Sequence, residues 1–441
     1  MNKIVVQIQL LLIGILYLIG NKINLNLNVY KIGFIVLELV WSIVIAKKAL
    51  FECIFFMFVF NGLIRRIFAP PGEGYIANDF MILLPIIFMV VYLLRSIFLR
   101  NIISLPKMYL LFEFSTICIS LLNIFHNSLS ITIALLTLII GVRIGGSLSF
   151  RDLYNSRKSF NLVIFYSNCY LFSQIFGLNR IDFNWCNNRI TYLTQLTSCA
   201  FPNIRLWGTM ESPANMGFIL SIGIINLVSN RPKLKRMTWM DLLLIAFYYL
   251  GILLTGTRTF LWLLPLAILI TSGLRSNKIS SKILVISPVL IILSFTITKI
   301  ASKFGFTGGW LTRLNIFGIA TDSSFKSRSN QVSSFMKELN FRTLLFGDGF
   351  GSHSRGITAL DNGILVLILE LGLPIAMILL VVILLKIHLL VSDLPNLEFV
   401  LSVLLLYIIG SSSFAVISGS LGFLFSFCLG VTSETKTRPD I

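Results

Sequence analysis

Charge is what this sequence has least of. Of its 441 residues only 12% are Asp, Glu, Lys or Arg, about half the share of a soluble globular chain. Acidic residues are the scarcer sign, 18 against 36 basic ones. With 56% of residues apolar, so little charge excludes a soluble enzyme, and the apolar excess excludes a disordered chain. Six cysteines are too few for a disulfide framework. Cys53, Cys118, Cys169 and Cys428 fall in apolar runs, where a thiol packs as a small hydrophobe. Cys186 and Cys199 share one polar segment and are a candidate disulfide if that segment faces an oxidising compartment. The three histidines, His126, His353 and His388, stand apart from any metal-ligand spacing, and no Ser–His–Asp arrangement is credible. Repeats and low-complexity tracts are absent too.

What is present is apolar sequence, in runs of about a membrane thickness. Spans are expected near 4–20, 29–46, 49–66, 80–99, 108–125, 129–146 and 160–177, then near 213–229, 240–255, 258–273, 282–300, 362–386, 397–410 and 414–430. The first lacks a small-x-small cleavage site and is taken as retained. The expectation is an all-α polytopic membrane protein, 1–441 forming one integral domain, with about 14 (12–14) transmembrane helices. The net charge of +18 does not point to nucleic acid, because the cations sit in short gaps between apolar runs and not on a soluble basic face. Lys47-Lys48, Arg95 with Arg100 and Lys107, Arg151 with Arg157 and Lys158, Arg231 to Arg236, and Arg275 with Lys278 and Lys282 all fall on one side. The positive-inside rule makes that side, and both termini, cytoplasmic.

Two long external loops follow, 178–212 and 301–361. The second is rich in cations for an external loop: Lys299, Lys303, Arg313, Lys326, Arg328, Lys337, Arg342 and Arg355 lie in or beside it. Either an anionic ligand, matched by guanidinium forks, or lipid head groups account for that excess. Val332, Phe335, Met336 and Leu339 recur at helical spacing within it, which predicts an amphipathic helix lying on the membrane or roofing a cavity.

Several polar groups stand where apolar sequence is expected. Arg258, in Thr255-Gly256-Thr257-Arg258-Thr259, separates two spans with almost no loop; it is either functional or snorkels to the interface. Arg205-Leu206-Trp207-Gly208-Thr209-Met210-Glu211-Ser212-Pro213 closes the first long loop. Ser212 then Pro213 is a helix-start signal, placing a positive helix end beside Glu211 and Arg205. Phe346-Gly347-Asp348-Gly349-Phe350-Gly351 lacks the strand and the Lys-Ser/Thr that a nucleotide loop needs. It reads as a turn that leads past His353 and Arg355 to Asp361-Asn362-Gly363. Asp361 and Asn362 either cap the next helix or belong to a site, and Glu370 follows two turns on.

These elements, in this order, resemble the O-antigen polymerase and ligase superfamily. Arg205-x-x-Gly208-x-x-Glu211-Ser212-Pro213 is similar to its first periplasmic-loop element, and Thr255 to Thr259 to its Thr/Ser-Arg-small element. Ser327-Arg328-Ser329 through Gly351 to Asp361-Asn362-Gly363 and Leu369-Glu370-x-Gly372-Leu373-Pro374 resembles its second large loop and following span. The resemblance covers roughly 200–375. Asp361 stands where ligases usually carry His, which favours the polymerase (Wzy-type) branch.

The resemblance implies a GT-C-like, metal-independent glycosyltransferase without cofactors, in a bacterial inner membrane. Its substrate would be an undecaprenyl-pyrophosphate-linked oligosaccharide met at the periplasmic face, with membrane lipid and a chain-length regulator protein as candidate partners and no nucleic acid. Arg205, Arg258, Arg313 and Arg328 are then candidates to stabilise the leaving pyrophosphate, with Asn362, His353 and Arg355 as further binding groups. Glu211 and Asp361 are the candidate catalytic bases, and the choice between them is open. The alternatives are an O-antigen ligase acting on lipid A-core or, in another class, a lipid-linked oligosaccharide flippase.

Overall fold

The computed structural model describes chiefly residues 2–23, 28–69, 84–98, 129–147, 150–190, 204–210, 212–229, 238–275, 339–348, 363–392, 394–410 and 419–431, with isolated positions elsewhere. Among these residues the chain is helical and contains no strand. The helices are α1 (Asn2–Lys22), α2 (Asn28–Val44), α3 (Lys47–Ile67), α4 (Leu84–Phe98), α5 (Leu129–Ser147), α6 (Phe150–Ser173), α7 (Arg180–Ile190) and α8 (Pro213–Ser229). They continue as α9 (Trp239–Thr255), α10 (Arg258–Arg275), α11 (Phe341–Phe346), α12 (Gly363–Leu371), α13 (Leu373–Ser392), α14 (Leu394–Gly410) and α15 (Gly419–Gly430). Two compact units form: Met1–Arg95 with Tyr154–Trp262 and Pro288–Asn315, and Ser96–Leu153 with Leu263–Ser287 and Ile316–Ile441.

Two helices, Ile4–Lys22 and Leu373–Val391, are long and apolar enough to cross a membrane. Shorter apolar helices include Leu84–Phe98, Pro213–Ser229, Trp239–Thr255 and Glu398–Ile408. Helix α2 shows how such elements are oriented. It buries Phe34, Glu38 and Ser42 and turns Val29, Val36, Leu37, Val40, Ile43 and Val44 outward. A helix facing water does the reverse.

In the first unit, α6, α8 and α9 are tied by side chains that reach across to neighbouring backbone. Asn168 Nδ2 donates to Phe247 O (2.9 Å), Tyr248 Oη to Asn161 O (3.0 Å) and Asn226 Nδ2 to Arg157 O (2.9 Å). Such bonds hold apolar helices in register where the hydrophobic effect between them is weak. In the second unit, α5 and α15 cross at glycine. A Cβ on Gly145 or Gly430 would collide with the facing backbone, so only glycine permits that approach. Stacked Tyr407 and Phe425, with centroids 4.3 Å apart, and Ser402 Oγ bonded to Thr271 Oγ1 (3.1 Å) extend this core.

The helix starts at Pro213 and Arg258 fall where the sequence places them, and three features differ. Helix α6 begins at Phe150 rather than near 160, and Arg157 is buried inside it, its Nη2 donating to Ser229 Oγ (2.7 Å). Arg157 therefore serves packing and is not a solvated loop charge of the third basic group. The run expected at 362–386 is two helices, α12 and α13, because Gly372 takes a φ of +79° between them. The loop expected at 178–212 opens with α7. Most of 108–125, 282–300 and 301–329 lies outside the described residues.

Candidate functional site

The local chain geometry brings two of the sequence elements together. Ser212 Oγ accepts the Asn215 N–H (3.2 Å) and Ser212 O accepts from Met216 N (3.1 Å), so Ser212 caps α8 with Pro213 at the first position. Helix α9 ends at Gly256, a left-handed residue with φ +61°, whose N–H bonds Leu253 O (2.9 Å). The chain restarts as α10 at Arg258. The starts of α8 and α10 lie side by side: Gly217 faces the hydroxyls of Thr255 and Thr257 with no room for a Cβ, and those hydroxyls bond each other at 2.6 Å. Arg205 Nε donates to Thr255 O (2.9 Å), and Leu206 N to Leu254 O (3.3 Å). The first turn of α8 thus packs on the link between α9 and α10, where Arg205 is bonded to the last carbonyl of α9.

Beneath this corner lies a buried polar network. All three guanidinium nitrogens of Arg66, at the end of α3, are engaged. Nε pairs with Asp182 Oδ1 (3.0 Å), Nη1 donates to Met210 O (2.9 Å) and Nη2 to Gly208 O (2.5 Å). Its guanidinium carbon sits 5.9 Å from the Trp207 ring centroid, within cation–π range. Asp182 Oδ2, from α7, accepts from Tyr170 Oη (2.8 Å), Gln174 Nε2 (2.8 Å) and Asn179 Nδ2 (3.1 Å). Gln174 Oε1 accepts the Gly208 N–H (3.0 Å). Thr209 donates its hydroxyl to Val59 O (2.9 Å), and its carbonyl accepts from Leu63 N (2.8 Å). Every backbone polar group named here along 208–210 is satisfied, as burial in apolar surroundings demands. The Cys186–Cys199 disulfide, with Cα atoms 5.9 Å apart, ties α7 to the segment leading into this loop.

The third sequence element is held differently, in the second unit. Gly347 (φ +67°) and Gly372 (φ +79°) pack backbone to backbone, and a Cβ on either would strike the other's strand of chain at Glu370 or Leu345. Asp348 N donates to Leu369 O (2.7 Å), and Thr343 Oγ1 to Asp348 Oδ1 (2.9 Å). This clasp joins the end of α11 to the end of α12. Glu370 is buried beside it. The amphipathic stripe is partly seen: Phe335 and Leu339 pack with Val366, Leu365, Ile368 and Leu369, whereas Val332 is exposed.

Of the candidate site residues, Arg205 is described in full and Arg258 in its backbone. Glu211, Arg313, Arg328, His353, Arg355, Asp361 and Asn362, and the Arg258 side chain, lie outside the described residues. Arg66, Asp182, Tyr170 and Gln174 were not expected from the sequence. The signal for them is Arg65-Arg66 itself: in the orientation that the charge rule gives, this pair ends a span on the external side, where topology does not call for cations. A buried ion pair is the other use of arginine in such a place. No family model matches this chain, and no curated protein matches it.

Proposed function

We propose that this chain is a polymerase of cell-surface polysaccharide, joining undecaprenyl-pyrophosphate-linked repeat units at the external face of a bacterial inner membrane. The observation that carries the reading is the contact between the Arg205 element and the Thr255–Arg258 corner, two of the three elements on which the resemblance rests. Supporting it, α2 and the other helices with exposed Leu, Val and Ile suit a lipid surround. We read them as part of a bundle of about 14 spans with both termini cytoplasmic and a GT-C-like arrangement.

In this reading the candidates to bind the donor pyrophosphate are Arg205, Arg258, Arg313 and Arg328, as the resemblance implies. An acceptor hydroxyl oxygen bonds to the anomeric carbon while the carbon–oxygen bond to pyrophosphate breaks, and the electron pair leaves with the phosphate. Fixed guanidinium groups and helix N-termini stabilise that developing charge without reorganising. The hydroxyl proton passes to Glu211 or Asp361. Deletion of the gene in its native host, with surface glycan resolved on a gel, tests the reading. Glycan carrying one repeat unit is expected. Glycan with none, and lipid-linked polymer accumulating, assigns the chain to ligation; unchanged ladders with normal lipid-linked intermediates reject both.

A further inference from the structure

We propose that Arg66 and Asp182 are positioning residues for this site, fixing the loop 206–210 so that Arg205 before it is held at the α8–α10 corner; this rests on the polymerase reading above. The geometry is specific to a guanidinium. Two nitrogens of Arg66 donate to the carbonyls of Gly208 and Met210, and the third stands 3.0 Å from an Asp182 carboxylate oxygen as an ion pair. The carbonyl contacts leave those nitrogens bonded to the chain, so Arg66 acts on the loop and not on a ligand. Asp182 is held in turn by Tyr170, Gln174 and Asn179, and its own α7 is pinned at the N-terminus, where Asn179 Oδ1 accepts the Asp182 N–H (2.9 Å). Both charged side chains are fully buried. The end of α3 and the Gln174 that follows α6 therefore both grip the loop, and α7 backs Arg66 through Asp182. A packing ion pair would bridge side chains; this one grips main-chain carbonyls adjoining a candidate arginine and a candidate base.

A small misplacement of reacting groups lowers the rate by about 100-fold, and that is the size of effect expected. The full chain in lipid is assayed with a polyprenyl-pyrophosphate-linked oligosaccharide, comparing wild type with Asp182→Asn and Arg66→Lys. Arg66→Lys keeps the charge opposite Asp182 but offers one ammonium in place of the fork, and so covers the case where Asp182→Asn fails to fold. Expected in each folded variant is a kcat lower by about 100-fold with KM within about threefold, and faster amide exchange at 206–210 with α8 and α9 unchanged. Wild-type kcat in Arg66→Lys overturns the inference. So does a loss of exchange protection spread evenly over α3, α6 and α8, which is what a purely structural pair produces. A wild-type protein that transfers no glycan fails the polymerase reading instead. The positioning inference is then decided by exchange alone, upheld by loosening confined to 206–210 and overturned by unchanged protection there.

Discussion

The loop at 206–210 in the first unit and the turn at 345–348 in the second each adjoin one of the sequence elements singled out above, and they are fixed by opposite means. The first is held by side chains from α3, α6 and α7, with a buried ion pair at its centre. The second is held chiefly by main chain against main chain, through two glycines with positive φ and the Asp348 N–Leu369 O hydrogen bond, with the Thr343–Asp348 side-chain bond beside them. An ionic network sets two buried charges against each other, so that removing one leaves the other uncompensated in apolar surroundings. The close approach of the two glycines involves no ion pair, and depends on the absence of two methyl groups. The two should therefore fail under different substitutions, and each failure sharpens the contrast.

The largest effect is expected at Asp182. Replacing it with Ala leaves the Arg66 charge buried and unpaired, at a cost of about 3–5 kcal/mol. Replacing both partners with apolar residues, Arg66→Met with Asp182→Leu, removes that penalty, and stability should return to within about 1–2 kcal/mol of wild type. Unfolding of the purified protein in mixed micelles measures both. A double variant as unstable as Asp182→Ala would show that the carbonyl grips, not the charge balance, hold the region together.

Removal of the Cys186–Cys199 cross-link comes next. A bridge closing a loop of 13 residues restricts the unfolded chain by about 3 kcal/mol, and Cys186→Ser with Cys199→Ser should lose about that much. The loss should appear as looser amides in α7 and at 206–210. The clasp at 345–348 should not respond, and faster exchange there would break the comparison.

At the clasp, Gly347→Ala is the matching test. Gly347 has ψ near 174° with its φ of +67°, a conformation that is essentially glycine-only and costs other residues about 1–3 kcal/mol. The same change at Gly372 forces a Cβ into Leu345 and Gly347. Either variant should loosen 341–348 in amide exchange and leave 206–210 as it was. Stability unchanged to within about 0.5 kcal/mol in both would mean that the clasp is not a constraint.

These two devices also show how far the sequence could be read. Ser212-Pro213 announced a helix start because capping and proline chemistry are local, the apolar runs placed another at Arg258, and both starts are there. The all-α composition was equally open to reading. The break at Gly372 was not, because Leu371 and Leu373 keep the run apolar across it and hydropathy carries no φ. Arg157 misled in the other direction: hydropathy counts a guanidinium as loop, while its partners Ser229 and Asn226 come from α8, over sixty residues away. Arg66 and Asp182 escaped for the same reason, being separated by more than one hundred residues. Long-range pairing has no local signature; only the charge rule, violated at Arg65-Arg66, pointed toward it.

The finest comparison sets a hydrogen bond of moderate expected effect against one of almost none, because two bonds of nearly equal length sit in unlike surroundings. Tyr170 Oη donates to Asp182 at 2.8 Å, and Thr343 Oγ1 to Asp348 at 2.9 Å. Asp182 is wholly buried, whereas Asp348 is exposed. Tyr170→Phe removes a donor that the Asp182 carboxylate cannot replace with water, so about 1.5–3 kcal/mol should be lost. In Thr343→Val, solvent takes the place of the lost hydroxyl at Asp348, and the change should stay within about 0.5 kcal/mol. Paired unfolding measurements on the two variants read the difference directly. Equal losses would mean that water reaches Asp182, and that the loop at 206–210 is held in an aqueous cleft and not by a buried charge.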